Sequence, residues 1–331
     1  GDLDVFVGNN MVSNNFGAIP KSYILKNENG TFSILENQSF QNTGMITDAI
    51  WEDYNTDGFV DLILVGEWMT PKFFKNIKGN FTEEKLIGAT LTGLWQQIAA
   101  FDIDKDGDVD YLLGNWGKNS KFNASEEYPL RMYYADFDGN GSTETILCNY
   151  KNEAYYPLLG LDELASQIVS LRKKFTSYKS FAGKSIDEIF EKSVLNKARI
   201  LEVHTLASGY LKNENNTFTF IPFKNELQVS PISAFLEYDF NADGDNEVLV
   251  AGNYFGVSPY QGRFDSFPGA LIFNEDKIVL GNKIGLDFNQ KAVKKLNIIK
   301  VQNKSYVLAT INNDHAQVYE LTHLKDDYKK L

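Results

Sequence analysis

DYNTDGFVDLILVG, from Asp53 to Gly66, joins an acidic nine-residue segment to an uninterrupted apolar run, and the same join occurs three more times. The acidic part follows Asp-x-Asp/Asn-x-Asp/Asn-Gly-x-x-Asp/Glu. It returns as DIDKDGDVD (Asp102 to Asp110), DFDGNGSTE (Asp136 to Glu144) and DFNADGDNE (Asp239 to Glu247), followed by YLLGNW, TILCNY and VLVAGNY. The chain opens on GDLD, which fits the last four positions of the pattern and puts Asp4 in the closing slot. This opening reads as half of a fifth copy, with further residues expected before Gly1 in the natural protein.

Side chains at positions 1, 3 and 5 converge on one point only if the backbone curls, and the glycine at position 6 permits that turn. A ring of carboxylates, amide oxygens and one backbone carbonyl suits calcium, which takes about six to eight oxygen ligands. Magnesium holds to an octahedron and keeps several waters. The expected ligands in the first loop are Asp53, Asn55, Asp57, the carbonyl of Phe59 and Asp61. The second loop offers Asp102, Asp104, Asp106, the carbonyl of Asp108 and Asp110. The third offers Asp136, Asp138, Asn140, the carbonyl of Ser142 and Glu144; the fourth offers Asp239, Asn241, Asp243, the carbonyl of Asp245 and Glu247. An EF-hand would need a glutamate at position 12, which here is Leu64, Leu113, Leu147 and Val250. For a single copy the alternative is an Asx-type turn without metal. Recurrence at one offset before a strand argues for up to four structural calcium sites.

Outward from the loops, a second unit repeats. LKNENGTF (Leu25 to Phe32) returns as LKNENNTF (Leu211 to Phe218), with a looser relative in FFKNIKGNF (Phe73 to Phe81). Asn-Gly and Asn-Asn occupy turn positions that need positive φ, so each unit is a β-hairpin. One repeat is then a strand, the acidic loop, a second strand, a variable connection and a hairpin. First strands are expected at Ala49 to Glu52, Ile98 to Phe101, Arg131 to Ala135 and Ala234 to Tyr238. Four antiparallel strands per unit of roughly 40 to 50 residues make a propeller blade. The fold expected is all-β: a single β-propeller domain over residues 1–331, with about six blades in this chain and seven or eight in the full domain. LNIIKV, SYVLATIN and AQVYEL would close it as a last blade without an acidic loop.

The step from Gly141 to Gly244 is the longest between motif glycines. Within it, residues 161–198 lose the two-residue period. Leu164, Ile168, Leu171 and Phe175 fall at helical spacing behind Asp162 as N-cap, and Ser185 with Glu188 forms a capping box. The segment reads as a helical insertion between the second and third strands of one blade.

A net charge of −12 and a pI near 4.8 argue against nucleic acid or an anionic membrane as partner, since those need basic faces. Four bound dications would bring that charge to −4. One cysteine, Cys148, excludes an internal disulfide framework and sits in an apolar run as a small hydrophobe. No apolar run reaches the length of a membrane span. His204, His315 and His323 are scattered, and no HExxH, GxSxG or nucleotide-binding glycine pattern occurs, so the chain reads as a non-enzyme.

The loops and their strands resemble the FG-GAP or VCBS repeats of integrin-α-type propellers. Phe16-Gly17-Ala18 is the nearest trace of the signature that names the repeat. YYPLLGLDELASQIVSLRKKF (Tyr155 to Phe175) and SYKSFAGKSIDEIF (Ser177 to Phe190) resemble the helical insert of bacterial VCBS-repeat proteins of the ASPIC/UnbV type. The resemblance implies a secreted, periplasmic or surface-exposed module for adhesion or recognition, with calcium in a structural role.

If the loops join first and second strands, the connections after the second strands lie on the opposite face. These begin GEWMTP, GNWGKN, CNYKNE and GNYFGV, placing Trp68, Trp116, Tyr150, Tyr254 and Phe255 at corresponding positions. They are the expected ligand surface, for a glycan or a protein partner, because flat amphipathic rings supply contact area. Packing between blades is the competing reading and carries somewhat more weight. The alternative function is a polysaccharide lyase or hydrolase on a propeller scaffold.

Overall fold

The computed structural model describes residues 2–35 and 38–321; Gly1 of the opening GDLD and His323 lie outside the described residues. The first sheet is the meander β1 (Val5–Val7), β2 (Tyr23–Glu28) and β3 (Thr31–Leu35). The second runs β4 (Met45–Glu52), β5 (Asp61–Met69), β6 (Lys72–Ile77) and β7 (Asn80–Glu84), with β8 (Gly93–Leu94) also paired to β5. β9 (Gln97–Phe101) and β10 (Asp110–Gly114) open the third sheet. Before it is completed, the chain forms a separate nested sheet. This consists of β11 (Leu130–Ala135), β12 (Glu144–Lys151), β13 (Ala154–Pro157) and, beyond five short helices, β14. The helices are α1 (Leu161–Gln167), α2 (Leu171–Lys174), α3 (Tyr178–Phe181), α4 (Ile186–Ile189) and α5 (Lys192–Leu195), and β14 is Arg199–Val203. β15 (Gly209–Glu214) and β16 (Thr217–Pro222) then add to the free edge of β10. The fourth sheet is β17 (Ile232–Tyr238), β18 (Glu247–Gly252), β19 (Ala270–Ile272) and β20 (Ile278–Leu280). The fifth is β21 (Val293–Val301), β22 (Lys304–Ile311) and β23 (Gln317–Glu320). Every pairing is antiparallel, and several of the sheets are four-stranded, as in propeller blades.

The second strands read as continuous apolar runs because they are buried on both faces. Leu62 and Leu64 of β5 pack toward the first sheet, while Ile63 and Val65 pack toward the third. In β18, Val248 and Val250 meet the third sheet, and Leu249 and Ala251 meet the fifth. Period-two alternation thus feeds two cores from one strand. The cores lie between successive sheets, and the first strands β4, β9, β17 and β21 run beside one another. Asn-Gly at 29–30 and Asn-Asn at 215–216 have positive φ (53° and 85°, 53° and 65°), as the hairpin reading requires.

The nested sheet corrects the sequence reading of the repeat. Five sheets follow chain order, but the nested one has the order β13-β12-β11-β14 and lies wholly within the connection from β10 to β15. The LKNENNTF hairpin therefore completes the sheet of the second acidic loop, not that of the third. The helices lie between β13 and β14 rather than between second and third strands. They cover one face of the nested sheet, where Leu164, Ile168, Leu171 and Phe175 pack with Ile146 and Cys148. Buried Cys148 is a packing group whose thiol is pushed up by desolvation. The N-cap of α1 is Gly160; Asp162 sits in the first turn and binds Arg172 and the Tyr178 hydroxyl instead. The Ser185–Glu188 capping box forms as expected, with Ser185 N donating to Glu188 Oε2 at 2.9 Å. Among the described residues no helix is long and apolar enough to cross a membrane.

Candidate functional site

All four acidic loops adopt one conformation between a first and a second strand. The position-1 aspartate accepts from two backbone amides, at positions 5 and 6. Asp53 takes Asp57 N at 3.0 Å and Gly58 N at 2.8 Å, and Asp102 takes Asp106 N at 3.2 Å and Gly107 N at 3.0 Å. Asp136 binds Asn140 N at 3.1 Å and Gly141 N at 2.9 Å, and Asp239 binds Asp243 N at 3.2 Å and Gly244 N at 3.1 Å. The position-5 side chain in turn accepts from the amide of position 7, as Asp57 does from Phe59 N and Asn140 from Ser142 N. The motif glycines, at φ between 88° and 99°, supply the left-handed step.

Position 7 contributes no side chain to the centre. Asp108 Oδ2 accepts from Asn215 N at 3.0 Å, and Asp245 pairs with Lys105 of the neighbouring loop at 2.5 Å. Phe59 is 41% exposed. What Phe59, Asp108 and Asp245 have left to offer a cation is the carbonyl.

The Lys-Asn pair of each repeated hairpin is tied to the loop region, a feature that sequence reasoning missed. Asn213 N donates to Asp110 Oδ1 (2.8 Å), Asn213 Nδ2 to Val109 O (3.1 Å), and its Oδ1 accepts from Asn216 N (2.8 Å). Asn76 repeats this with Asp61, Val60 and Gly79, and Asn27 with Asp4, Leu3 and Gly30. The preceding lysines reach into two loops: Lys75 lies 3.0 Å from Asp57, and Lys212 lies 2.8 Å from Asp104. The closing carboxylate also takes the amide of position 2 in three loops, Asp110 from Ile103 N, Glu144 from Phe137 N and Glu247 from Phe240 N. The dipeptide Lys-Asn in all three hairpins, and Asp rather than Glu at the matching loop ends, was the available signal.

The electrostatics are those of carboxylates crowded together. Burial, reinforced by neighbouring aspartates, pushes Asp61 and Asp110 up to about 6 and Glu247 up to about 7, and raises Glu144. Lys75 and Lys212 hold Asp57 and Asp104 below the usual carboxylate range, and the Gly141 amide does the same for Asp136. Carboxylate oxygens of Asp102, Asp104 and Asp106 lie within 4.8 Å of one another, as do those of Asp136, Asp138 and Glu144. In the first and fourth loops an amide Nδ2, of Asn55 or Asn241, bridges to the closing carboxylate at 2.9 Å or 2.8 Å. The donor set is entirely oxygen and rich in carboxylate, which fits a hard divalent cation. The second and third loops have the sharper convergence.

On the expected ligand surface, Trp68 and Trp116 are only 8% exposed. With Tyr254 packed against them they belong to one core cluster, between the sheets and the second face of the nested sheet. Trp116 lies 5.4 Å from Tyr254 and 5.5 Å from Phe264. Tyr150 stacks on Tyr128 at 4.2 Å, outside that cluster, and Phe255 lies 4.0 Å beneath the Arg263 guanidinium. The asparagine before two of these rings is equally informative. Asn115 and Asn253 are fully buried; Asn253 Nδ2 donates to Phe267 O and Phe288 O at 2.9 Å, and Asn115 Nδ2 to Thr205 O at 3.1 Å. The recurring Gly-Asn-aromatic is thus a bracket that fixes each connection. His204 is engaged by Thr92 at 2.6 Å, and His315 lies apart from it on the turn before β23.

Residues 53–113 match the family model of the FG-GAP-like repeat, from the first ligand position of the first loop to the strand after the second. This stretch carries FG-GAP-type repeats. No curated protein matches the chain.

Proposed function

We propose that the chain is a calcium-stabilised, non-catalytic recognition module of β-propeller architecture, secreted, periplasmic or surface-exposed, that binds a glycan or protein partner on the face opposite its first, second and fourth acidic loops. The observation that carries the reading is the convergence of three carboxylates in the second and third loops, on the same backbone turn that recurs in all four. Calcium fits that donor set, and weak loops of this kind suit extracellular calcium levels. The ligands would be positions 1, 3, 5 and 9 with the carbonyl of position 7; bound there, the ion neutralises the crowded carboxylates and fixes the turn. The protein's own contribution is to hold the loop closed through the position-1 aspartate and, in the Asp-closed loops, through the Lys-Asn hairpin.

The test combines melting with ligand screening. A ligand that binds only the native state stabilises it by RT ln(1 + [L]/Kd) per site, so excess chelator should lower Tm. A glycan and protein binding screen with calcium should then yield a partner, with no cleavage of a polysaccharide panel. An unchanged Tm in chelator refutes the calcium role, and cleavage of any panel member refutes the non-catalytic assignment.

A further inference from the structure

We propose that the cleft between the second sheet and β14 of the nested sheet binds an acidic sugar, with Arg199 and Lys85 taking its carboxylate. The cleft encloses about 490 Å³, within the range of small-molecule sites. One wall is the second sheet, around Trp68, Thr70 and the segment after β7; the other is Arg199 and Leu201 of β14. The repeat alone does not make this cleft, because β14 reaches β5 only through the nested insertion.

The wall is also irregular where it faces the cleft. Trp68 has φ 59°, and β5 shifts register between Glu67 and Met69 against β8. A bulky residue in left-handed backbone persists only where its surroundings impose it, and both such strain and strand bulges gather at binding sites.

The pairing of charged groups in the cleft shows where a ligand carboxylate would be taken. Each carboxylate is engaged: Glu83 by Lys72 at 3.3 Å, Glu84 by the Tyr54 hydroxyl at 2.5 Å, and Glu67 by Gln96 Nε2 at 3.1 Å. Lys85 and Arg199 line the same cleft, are exposed, and have no carboxylate partner among the described residues. The lining carries three cations and three carboxylates, and two of the cations, Lys85 and Arg199, are left without a carboxylate among the described residues while every carboxylate already accepts a hydrogen bond. Engaged carboxylates keep free lone pairs, and Thr70 and Thr92 add hydroxyls. Sugar hydroxyls, which donate and accept, suit that set, and a uronate carboxylate suits a guanidinium fork.

This inference rests on the recognition reading, and the experiment separates the two. The full chain with calcium is titrated calorimetrically with a hyaluronan tetrasaccharide and with neutral cellotetraose. The uronate is expected to bind at least tenfold more tightly than the neutral sugar, with affinity falling as salt rises. Arg199→Ala and Lys85→Ala should each weaken uronate binding at least tenfold without changing Tm, and Arg199→Lys should restore part of it. Equal binding of both sugars, no binding of the uronate, or uronate binding indifferent to both alanine variants overturns the cleft assignment. The recognition reading itself falls only if the wider glycan and protein screen also finds nothing.

Discussion

Replacing Asn213 by alanine tests whether the Lys-Asn hairpin holds the second acidic loop in place. The side chain is 5% exposed, donates to Val109 O at 3.1 Å and accepts from Asn216 N at 2.8 Å. The backbone bond from Asn213 N to Asp110 survives the substitution. Each lost hydrogen bond is worth ~0.5–1.5 kcal/mol net, and a carbonyl left unsatisfied adds ~1 kcal/mol or more. Asn216 N can turn to water, because its neighbourhood at the hairpin tip is open, so the loss should total ~2–4 kcal/mol. At ~2 °C per kcal/mol for a chain of this size, Tm falls by ~4–8 °C. Urea unfolding followed by tryptophan fluorescence, in excess calcium and again in chelator, measures it. Because the latch acts on backbone groups, the loss should persist in chelator. Glu214→Ala, on the exposed neighbouring side chain, serves as the control. A change below ~0.5 kcal/mol for Asn213→Ala would show that the repeated Asn is a turn former and nothing more.

The pH dependence follows from the crowded carboxylates. Asp61, Asp110 and Glu247 have folded-state values raised to about 6, 6 and 7, above the ~4 of an unfolded carboxylate. The metal-free fold therefore binds extra protons, and their contribution is present near pH 4 and lost as pH rises through 6 to 7. Calcium affinity should accordingly rise between pH 5 and 8, with protons released on binding at pH 6.5 in weak buffer; absence of release contradicts this. The lowered Asp57, Asp104 and Asp136 act in a separate window, losing their contribution as pH falls below ~4. Trp116→Ala should cost ~3–5 kcal/mol in denaturant unfolding, as for a buried ring; unchanged stability with lost ligand binding would return it to the recognition surface. Gly252→Ala places a Cβ 1.8 Å from Pro231 O, so soluble yield and Tm should both drop, and a wild-type melt would disprove the close approach.

Local backbone structure was largely legible in the sequence, the N-cap of α1, Gly160 in place of Asp162, being an exception. The acidic loops, the strands that follow them, the hairpin turns and the Ser185 capping box depend on residues within about a dozen positions of one another. Their φ preferences and hydrogen bonds are properties of short segments. The same locality explains where the reading failed. The LKNENNTF hairpin follows the third loop in sequence, yet it adds to β10 of the second. Strand pairing is decided by which edge is free and by the match of Asn213 and Lys212 to Asp110 and Asp104. Helical periodicity from Leu164 to Phe175 placed the buried face correctly, but the helix breaks at Ile168, φ −118°, where packing on the nested sheet overrides propensity.

Burial is the second thing that sequence could not assign. For Trp68 and Trp116 the sequence leaned toward packing without excluding an exposed surface, because an aromatic after a strand has the same spacing in both. Only the nested sheet, laid against the connections from the second strands, encloses them. The chain by itself thus determined an all-β repeat with acidic oxygen-donor loops, because those features are local. The tertiary structure alone decided which hairpin closes which sheet, which aromatic rings are buried, and that a cleft exists beside Arg199, because each depends on segments brought together from about 100 residues apart.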